Sequence, residues 1–211
     1  DEVNEPLKGN FEGVGIQFNL VRDTIYVVDA IAGGPSERLG IRSGDRIVRI
    51  DGENVAGVGF KNADVMKRLR GKKGTKVDVS IARTGETAPL DFSITRDKIP
   101  IYSVEASYMA SPSTGYIKVS RFSATTMKEF REKLALMQKA GMKDLILDLQ
   151  GNGGGYLRTA IEMADEFLPD KKLVVYTEGR TSPREDYYGS TQSKFEKGRL
   201  VVLVDEGSAS A

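Results

Sequence analysis

The chain has 211 residues, of which 39% are hydrophobic and 29% charged, and 31 Lys and Arg set against 30 Asp and Glu leave a formal charge of +1. That is room for one large core or two smaller ones, with no electrostatic reason to expect nucleic acid or an anionic membrane surface as partner. His and Cys are both absent, which excludes disulfides, thiol catalysis, thiolate and imidazole metal sites and any Ser-His-Asp triad, and leaves only an oxygen-ligand metal site open; no metal or cofactor is expected. No apolar run approaches the roughly 18 residues of a membrane span, and no basic stretch leads into an apolar one at the N-terminus. A secretion signal, if there was one, is expected to have been removed. Absence of cysteine is compatible with the cell envelope, where unpaired thiols oxidise.

In chain order, Phe11-Glu12-Gly13-Val14-Gly15-Ile16-Gln17-Phe18 reads as a glycine loop running into a strand. Converging backbone N–H groups at such a loop suit an anion, and the same glycines equally suit a tight turn. Asn62 to Leu69 is predicted helical, with Val65, Met66 and Leu69 on one face and Gly71 as the stop. Val77, Val79 and Ile81 alternate with polar residues, as do Leu90, Phe92 and Ile94, and Thr84-Gly85-Glu86 between them predicts a hairpin turn. Thr95 to Pro100 is charged and ends in proline, as a linker would.

Beyond it the pattern changes. Tyr116, Ile117 and Val119 predict a strand, and Thr126 with Glu129 predicts a capping box ahead of a helix carrying Phe130, Leu134 and Met137 that stops at Gly141. Leu145-Ile146-Leu147 predicts a buried strand, with a glycine loop next and then a helix with Leu157, Ile161, Ala164 and Leu168. Strands at Leu173 to Tyr176 and Leu200 to Val204 complete an alternation that argues a parallel α/β layer. The polar stretch from Glu178 to Gly198 is expected to be a long loop.

The loop Asp148-Leu149-Gln150-Gly151-Asn152-Gly153-Gly154-Gly155-Tyr156 lies between strand and helix, where backbone N–H groups attract phosphate or a reaction oxyanion. A dinucleotide fingerprint begun at Gly151 and Gly153 would need glycine where Tyr156 stands, and the loop has no Gly-Lys-Ser/Thr for a Walker motif. Small residues and serines after the last strand, Gly207-Ser208-Ala209-Ser210-Ala211, are where α/β enzymes place a nucleophile. Without histidine, its base would have to be a lysine amine.

Two stretches carry a resemblance to known families. Gly34-Pro35-Ser36 through Gly40, then Gly44-Asp45-Arg46-Ile47-Val48-Arg49-Ile50-Asp51-Gly52, closely resembles the signature of PDZ domains in their circularly permuted bacterial form. With the loop at Leu147 to Leu157 and the ending Glu206 to Ala211, the whole chain resembles the C-terminal processing, or tail-specific, serine peptidases. The resemblance implies an N-terminal segment (1–10), a PDZ domain (11–95), a linker (96–104) and, over 105–211, the front part of a crotonase-like (ClpP-like) α/β core. It implies that a substrate tail adds as a strand beside Ile16 and Phe18, with its carboxylate at Gly13, Val14 and Gly15 and its last side chain against Met66 and Leu69. The last two also suit ordinary core contacts.

Carried over onto matching positions, the nucleophile is Ser210 and the oxyanion donors are the N–H groups of Gly154 and Ala211. The family's catalytic lysine lies further downstream, so the 211-residue chain alone is expected to be inactive. Lys118 and Lys143 read as solvated charges. Gln150 stands where the family usually has arginine, and Gly153 where it often has proline. Arg96 is expected as a linker cation able to reach an acidic group of the core and relay peptide binding. The implied partners are unfolded or tailed proteins with apolar C-termini, in the periplasm or cell envelope, with no oligomeric state indicated. The alternative is a non-catalytic PDZ scaffold on the same fold. PDZ-bearing trypsin-like proteases fit less well, since their triad needs histidine and their PDZ domain comes after the protease.

Overall fold

A computed structural model describes residues 5–191 and 193–210. The described residues divide into two compact units, one running from Asn10 to Pro100 and the other formed by those up to Gly9 together with those from Ile101 onward. The short helix α1 (Glu5–Lys8) goes with the second unit, where the Leu7 carbonyl accepts from Ala124 N–H at 2.8 Å and the Gly9 carbonyl from Ile101 N–H at 2.9 Å.

The Asn10–Pro100 unit comprises β1 (Asn10–Gly13), β2 (Ile16–Val21), β3 (Thr24–Ala30), α2 (Pro35–Arg38), β4 (Arg46–Ile50), β5 (Glu53–Asn54), α3 (Asn62–Leu69), β6 (Lys76–Ala82), β7 (Leu90–Thr95) and β8 (Asp97–Pro100). A six-stranded sheet runs β2-β3-β4-β6-β7 with β5 against β4, and its pairings are antiparallel. Strands that alternate apolar and polar residues need only one covered face. Accordingly Val77, Val79 and Ile81 turn inward and pack with Val14, Ile25, Ile47, Ile50, Val65 and Leu69. Asp45 is buried among them and is neutralised by a two-pronged bond from Arg83, with Nε to Oδ1 and Nη2 to Oδ2 both at 2.8 Å. Burial pushes the Asp45 carboxyl up, but Arg83 and the Arg42 N–H together leave it below the usual carboxylate value.

The stretch expected as a linker is largely strand. β8 pairs antiparallel with β1, from Asn10 opposite Pro100 to Gly13 opposite Asp97, and Ile99 is completely buried. Its charges are paired: Asp97 meets Lys73 Nζ at 2.7 Å and Arg38 Nη2 at 3.2 Å. Arg96, expected to reach out of the linker, instead closes the C-terminal end of α3. Its guanidinium donates to the carbonyls of Arg68 (2.7 Å), Leu69 (3.1 Å) and Lys76 (2.8 Å), and to Thr75 Oγ1 (3.1 Å). The last carbonyls of a helix lack partners within it, and a cation there also meets the negative end of the dipole. Every nitrogen of the Arg96 guanidinium thereby donates inside its own unit.

The second unit contains β9 (Val104–Met109), β10 (Thr114–Val119), α4 (Thr126–Lys139), β11 (Asp144–Asp148), α5 (Leu157–Asp165), β12 (Leu173–Gly179), β13 (Ser182–Tyr188) and β14 (Leu200–Leu203). Its sheet runs β14-β11-β10-β9, parallel except for the antiparallel edge strand β9. Phe130, Leu134 and Met137 of α4 pack with Ile117, Val119, Leu145 and Leu147 of the sheet, as the helical and strand spacings predict. Three details differ from expectation. Glu129 is not spent on a capping box: its Oε1 accepts from Thr125 Oγ1 at 2.7 Å, while Oε2 takes the N–H groups of Ser103 (2.7 Å) and Val104 (3.0 Å) at the start of β9. β12 stays off the main sheet and pairs only with β13, among the described residues. β13 itself occupies the stretch expected as a loop. It is polar along its length and exposed at all but one position, so no alternation marks it.

The paired charges of the first unit have two measurable consequences. Because its partners hold Asp97 at about 2, below the ordinary 3.8, its contribution to stability is complete above about pH 4 and is lost as pH falls toward 2. Acid unfolding monitored by circular dichroism should therefore be shallower over that window in Asp97→Asn, and added salt should narrow the difference. Arg96→Ala should lower denaturant stability by about 1–2 kcal/mol, since several carbonyl bonds to one cation are lost at a helix end.

Candidate functional site

In the first unit β2 is the edge strand of the sheet, and a groove of about 100 Å³ runs between it and α3. Val14, Gly15, Ile16, Phe18, Met66 and Leu69 line it, together with Phe11 and Arg70. Six of the seven positions expected to bind peptide thus lie along one surface, and Gly13 sits just outside as the last residue of β1. Gly15 has φ +74, and a Cβ there would come within 2.9 Å of Ile99 Cδ1, so glycine is required by conformation and by space. Met66 is 41% exposed, whereas Leu69 belongs to the core and forms the groove floor. Nothing in the sequence singles out Arg70. It comes directly after the last helical residue, its guanidinium lies 5.0 Å from the Phe11 ring, and it brings positive charge to the groove.

In the second unit β11 and β14 lie side by side and parallel, so both chains leave the sheet at the same end. Asn152, 2% exposed, organises the loop after β11. Its Nδ2 donates to the Val119 carbonyl at 3.0 Å, its Oδ1 accepts from Gly154 N–H at 2.8 Å, and its carbonyl accepts from Ala209 N–H at 3.0 Å. Asp205 organises the turn after β14. Oδ1 accepts from Gly151 N–H at 2.8 Å and Gly207 N–H at 3.0 Å, and these bonds, the one from Gly151 first, hold the carboxyl below its usual value. Ser208 Oγ donates to the Leu149 carbonyl at 2.8 Å and accepts from Asp205 N–H at 3.0 Å.

The glycines permit close backbone approach. Gly154 has φ +96, and a Cβ there would sit 2.6 Å from the Ser210 carbonyl oxygen; at Gly155 it would sit 2.1 Å from the Phe122 carbonyl oxygen. The Arg121–Phe122 segment lies alongside, with Phe122 N–H donating to the Gly154 carbonyl at 2.9 Å and Tyr156 N–H to the Phe122 carbonyl at 2.8 Å. Together these form a groove of about 460 Å³ lined by Leu7, Ser120, Arg121, Gly153, Gly154, Gly155 and Ser210. Ser210 has φ +55, a left-handed conformation uncommon for a residue with a Cβ.

The two serines after β14 are thus distinguished. Ser208 is bound into the turn, and Ser210 faces the groove beside Gly154. The Gly154 N–H, expected as an oxyanion donor, is occupied by Asn152 Oδ1. Ala211, the other expected donor, lies outside the described residues. Lys118 Nζ is 4.0 Å from Asp148 Oδ2 rather than at Ser210's groove. Asp148 is mostly buried; burial pushes its carboxyl up, but the Tyr116 hydroxyl, the Gln150 N–H and Lys118 bring it below the usual value, and Tyr116 is in turn pushed up to about 12 by its bond to Asp148. Among the described residues no cluster of three or more acidic side chains is placed to hold a metal. Asn152 and Arg121 carry little sequence signal. A polar residue amid the glycines is the only mark of the first, and nothing local marks the second.

Comparison with known proteins places both segments of the chain in known families. Residues 113–211 match Peptidase family S41 and residues 13–106 match the PDZ domain family. The chain is 36% identical over 208 residues to the carboxy-terminal processing protease CtpA of Bacillus subtilis, a match covering 99% of this chain and 44% of that protein. It is 35% identical over 208 residues to the carboxyl-terminal-processing protease of Synechocystis, covering 96% and 48% respectively. A solved Bacteroides fragilis structure described as an S41 protease superposes with a TM-score of 0.50 at 16% identity over 97% of this chain and 60% of its own, and shows the shared fold. The chain spans less than half the length of the two curated relatives.

The close approaches predict the effect of adding a methyl group. Gly155→Ala should destabilise the second unit by about 2 kcal/mol or more through overpacking against the Phe122 backbone. Gly153→Ala, where a Cβ meets nothing within 4 Å, should cost well under half as much. Thermal unfolding of the two variants measures the difference.

Proposed function

The chain belongs to the S41 peptidase family, with a PDZ domain ahead of the peptidase segment, and from this premise we propose that it is the substrate-binding and nucleophile-bearing part of a tail-specific serine endopeptidase acting in the cell envelope. The observation that carries the reading is the groove in which Ser210 and the Gly154 loop meet at backbone contact. A protein C-terminus ending in apolar residues adds as a strand to the open edge of β2. Its last side chain lies against Met66 and Leu69, and its carboxylate lies toward Val14, Gly15 and Arg70. In the second unit the Ser210 Oγ attacks the scissile carbonyl as its proton passes to a lysine amine, and the serine–carbonyl bond forms as the carbonyl π bond becomes an oxyanion. Gly154 and Ala211 N–H groups receive that charge. At Gly154 the oxyanion must displace the Asn152 amide oxygen, a neutral acceptor giving way to a charged one. The lysine lies outside these 211 residues.

The alternative is a peptide-binding scaffold without catalysis on the same fold, and the absence of a lysine from the described residues lining the Ser210 groove weighs for neither reading. The two separate experimentally. In a version of the protein extended to the length of its relatives, Ser210→Ala should abolish cleavage of an unstructured protein with an apolar C-terminus. Ser208→Ala, which loses a turn bond worth about 1 kcal/mol, should keep most of it. Full turnover by Ser210→Ala removes Ser210 as nucleophile, and no turnover by the extended wild type supports the scaffold.

Binding is tested on the 211-residue chain, which should itself be inactive. Calorimetry should show tighter binding of a free apolar C-terminal peptide than of its amide, and Met66→Ala should weaken the free acid roughly tenfold through lost apolar contact. Gly15→Val is the poorer probe, since its Cβ would crowd Ile99 and Pro35.

A further inference from the structure

The groove that holds Ser210 is also lined by the half-buried cation Arg121. Arg121 Nε is the one buried side-chain nitrogen or oxygen without a hydrogen-bond partner among the described residues. Several partly buried guanidinium groups have fixed acceptors: Arg83 has Asp45, Arg96 has four, and Arg131 has the buried Glu166. No carboxylate is among the described residues lining the groove; its walls are Leu7, Ser120, three glycines, Arg121 and Ser210. Nε itself is closed to solvent, so a ligand in the groove meets the outer nitrogens of a half-buried guanidinium with no carboxylate beside it among the described residues. Its place is set by the backbone, because the next residue, Phe122, is hydrogen-bonded to Gly154 and Tyr156 on the glycine loop. The side chain therefore stands beside the same loop that faces Ser210.

We propose that Arg121 forms an anionic subsite next to Ser210, which binds a carboxylate of the substrate and so adds selection at the cleavage groove to the selection made by the PDZ groove. The inference rests on the peptidase reading for its functional meaning but not for its measurement. Guanidinium is the cation best suited to this work, because its planar fork matches both oxygens of a carboxylate. The carboxylate has two possible sources, a Glu or Asp side chain flanking the scissile bond or the terminal carboxylate of a tail lying in the groove. Because Arg121 Nε has no partner within the described protein, replacing the side chain removes no bond made there, and the melting temperature of Arg121→Gln should match the wild type.

The test compares capped peptides, N-acetylated and C-amidated, that differ only in Glu against Gln next to the cleaved bond, together with a neutral peptide bearing a free C-terminus. Cleavage is measured in the extended protein, and binding is measured by fluorescence anisotropy in the 211-residue Ser210→Ala chain, which needs no turnover. The wild-type groove should favour the Glu peptide over the Gln peptide by on the order of tenfold or more. Arg121→Gln should erase that ratio, Arg121→Lys should restore part of it, and Arg121→Glu should reverse it in favour of the Gln peptide. An Arg121 effect confined to the free-acid peptide assigns the subsite to a terminal carboxylate. An unchanged Glu to Gln ratio in Arg121→Gln, with no effect on the free-acid peptide, overturns the subsite. Loss of cleavage with the anisotropy difference intact overturns only the peptidase reading.

Discussion

The second unit depends on a buried amide. Asn152 joins three chain segments through one side chain and its own carbonyl: the end of β10 at Val119, the glycine loop at Gly154 and the tail after β14 at Ala209. With its polar atoms satisfied, the buried amide adds specificity to the arrangement rather than destabilising it. Gly154 and Gly155 then allow the loop to lie directly on the Ser210 and Phe122 backbones, at separations where any side chain would collide. Asp205 and Ser208 make the same junction from the other side, binding the turn after β14 to Gly151 and Leu149. The groove beside Ser210 is shaped by these few bonds.

The first unit solves a different problem, which is to leave a strand edge open while keeping the domain closed elsewhere. An exposed sheet edge invites pairing with any extended chain. Here β2 is bordered by α3, so a pairing peptide must also fit the apolar surface of Met66 and Leu69. The C-terminal end of that helix is fastened by Arg96, and the domain's two chain ends are zipped together by β1 and β8. Selectivity in such a groove comes from the side chains the helix presents, while affinity comes from the strand hydrogen bonds.

The two units divide their electrostatics in parallel fashion. Acidic groups are compensated by fixed partners: Asp45 by Arg83, Asp97 by Lys73 and Arg38, Asp205 by backbone amides, and Glu166 by Arg131. Arg121 and Arg70 are distinguished by position, since each lines a groove. Positive charge at both grooves is consistent with ligands that carry carboxylates.

Much of this was legible in the residues alone, wherever structure comes from neighbours in the chain. The helix at Asn62 to Leu69, the hairpin of β6 and β7, and the alternation of β10, α4 and β11 all announce themselves by local period and glycine stops. The glycine loop and the serine tail were identifiable by composition. The rest was decided by partners far away in sequence. β8 looks like a charged linker until β1, more than eighty residues earlier, pairs with it and Lys73 and Arg38 neutralise Asp97. Arg96 looks like a linker cation free to reach the core until α3 ends beneath it, and Asn152 looks like one more loop residue until Val119 and Ala209 close around it. A hydrogen-bonding side chain can be satisfied in many ways, and its own sequence neighbourhood does not say which acceptor the fold will bring to it. Local propensity therefore settled the elements and the glycine-bearing loops, and only the folded chain decided which charges would be used up and which, like Arg121, would be left for a ligand.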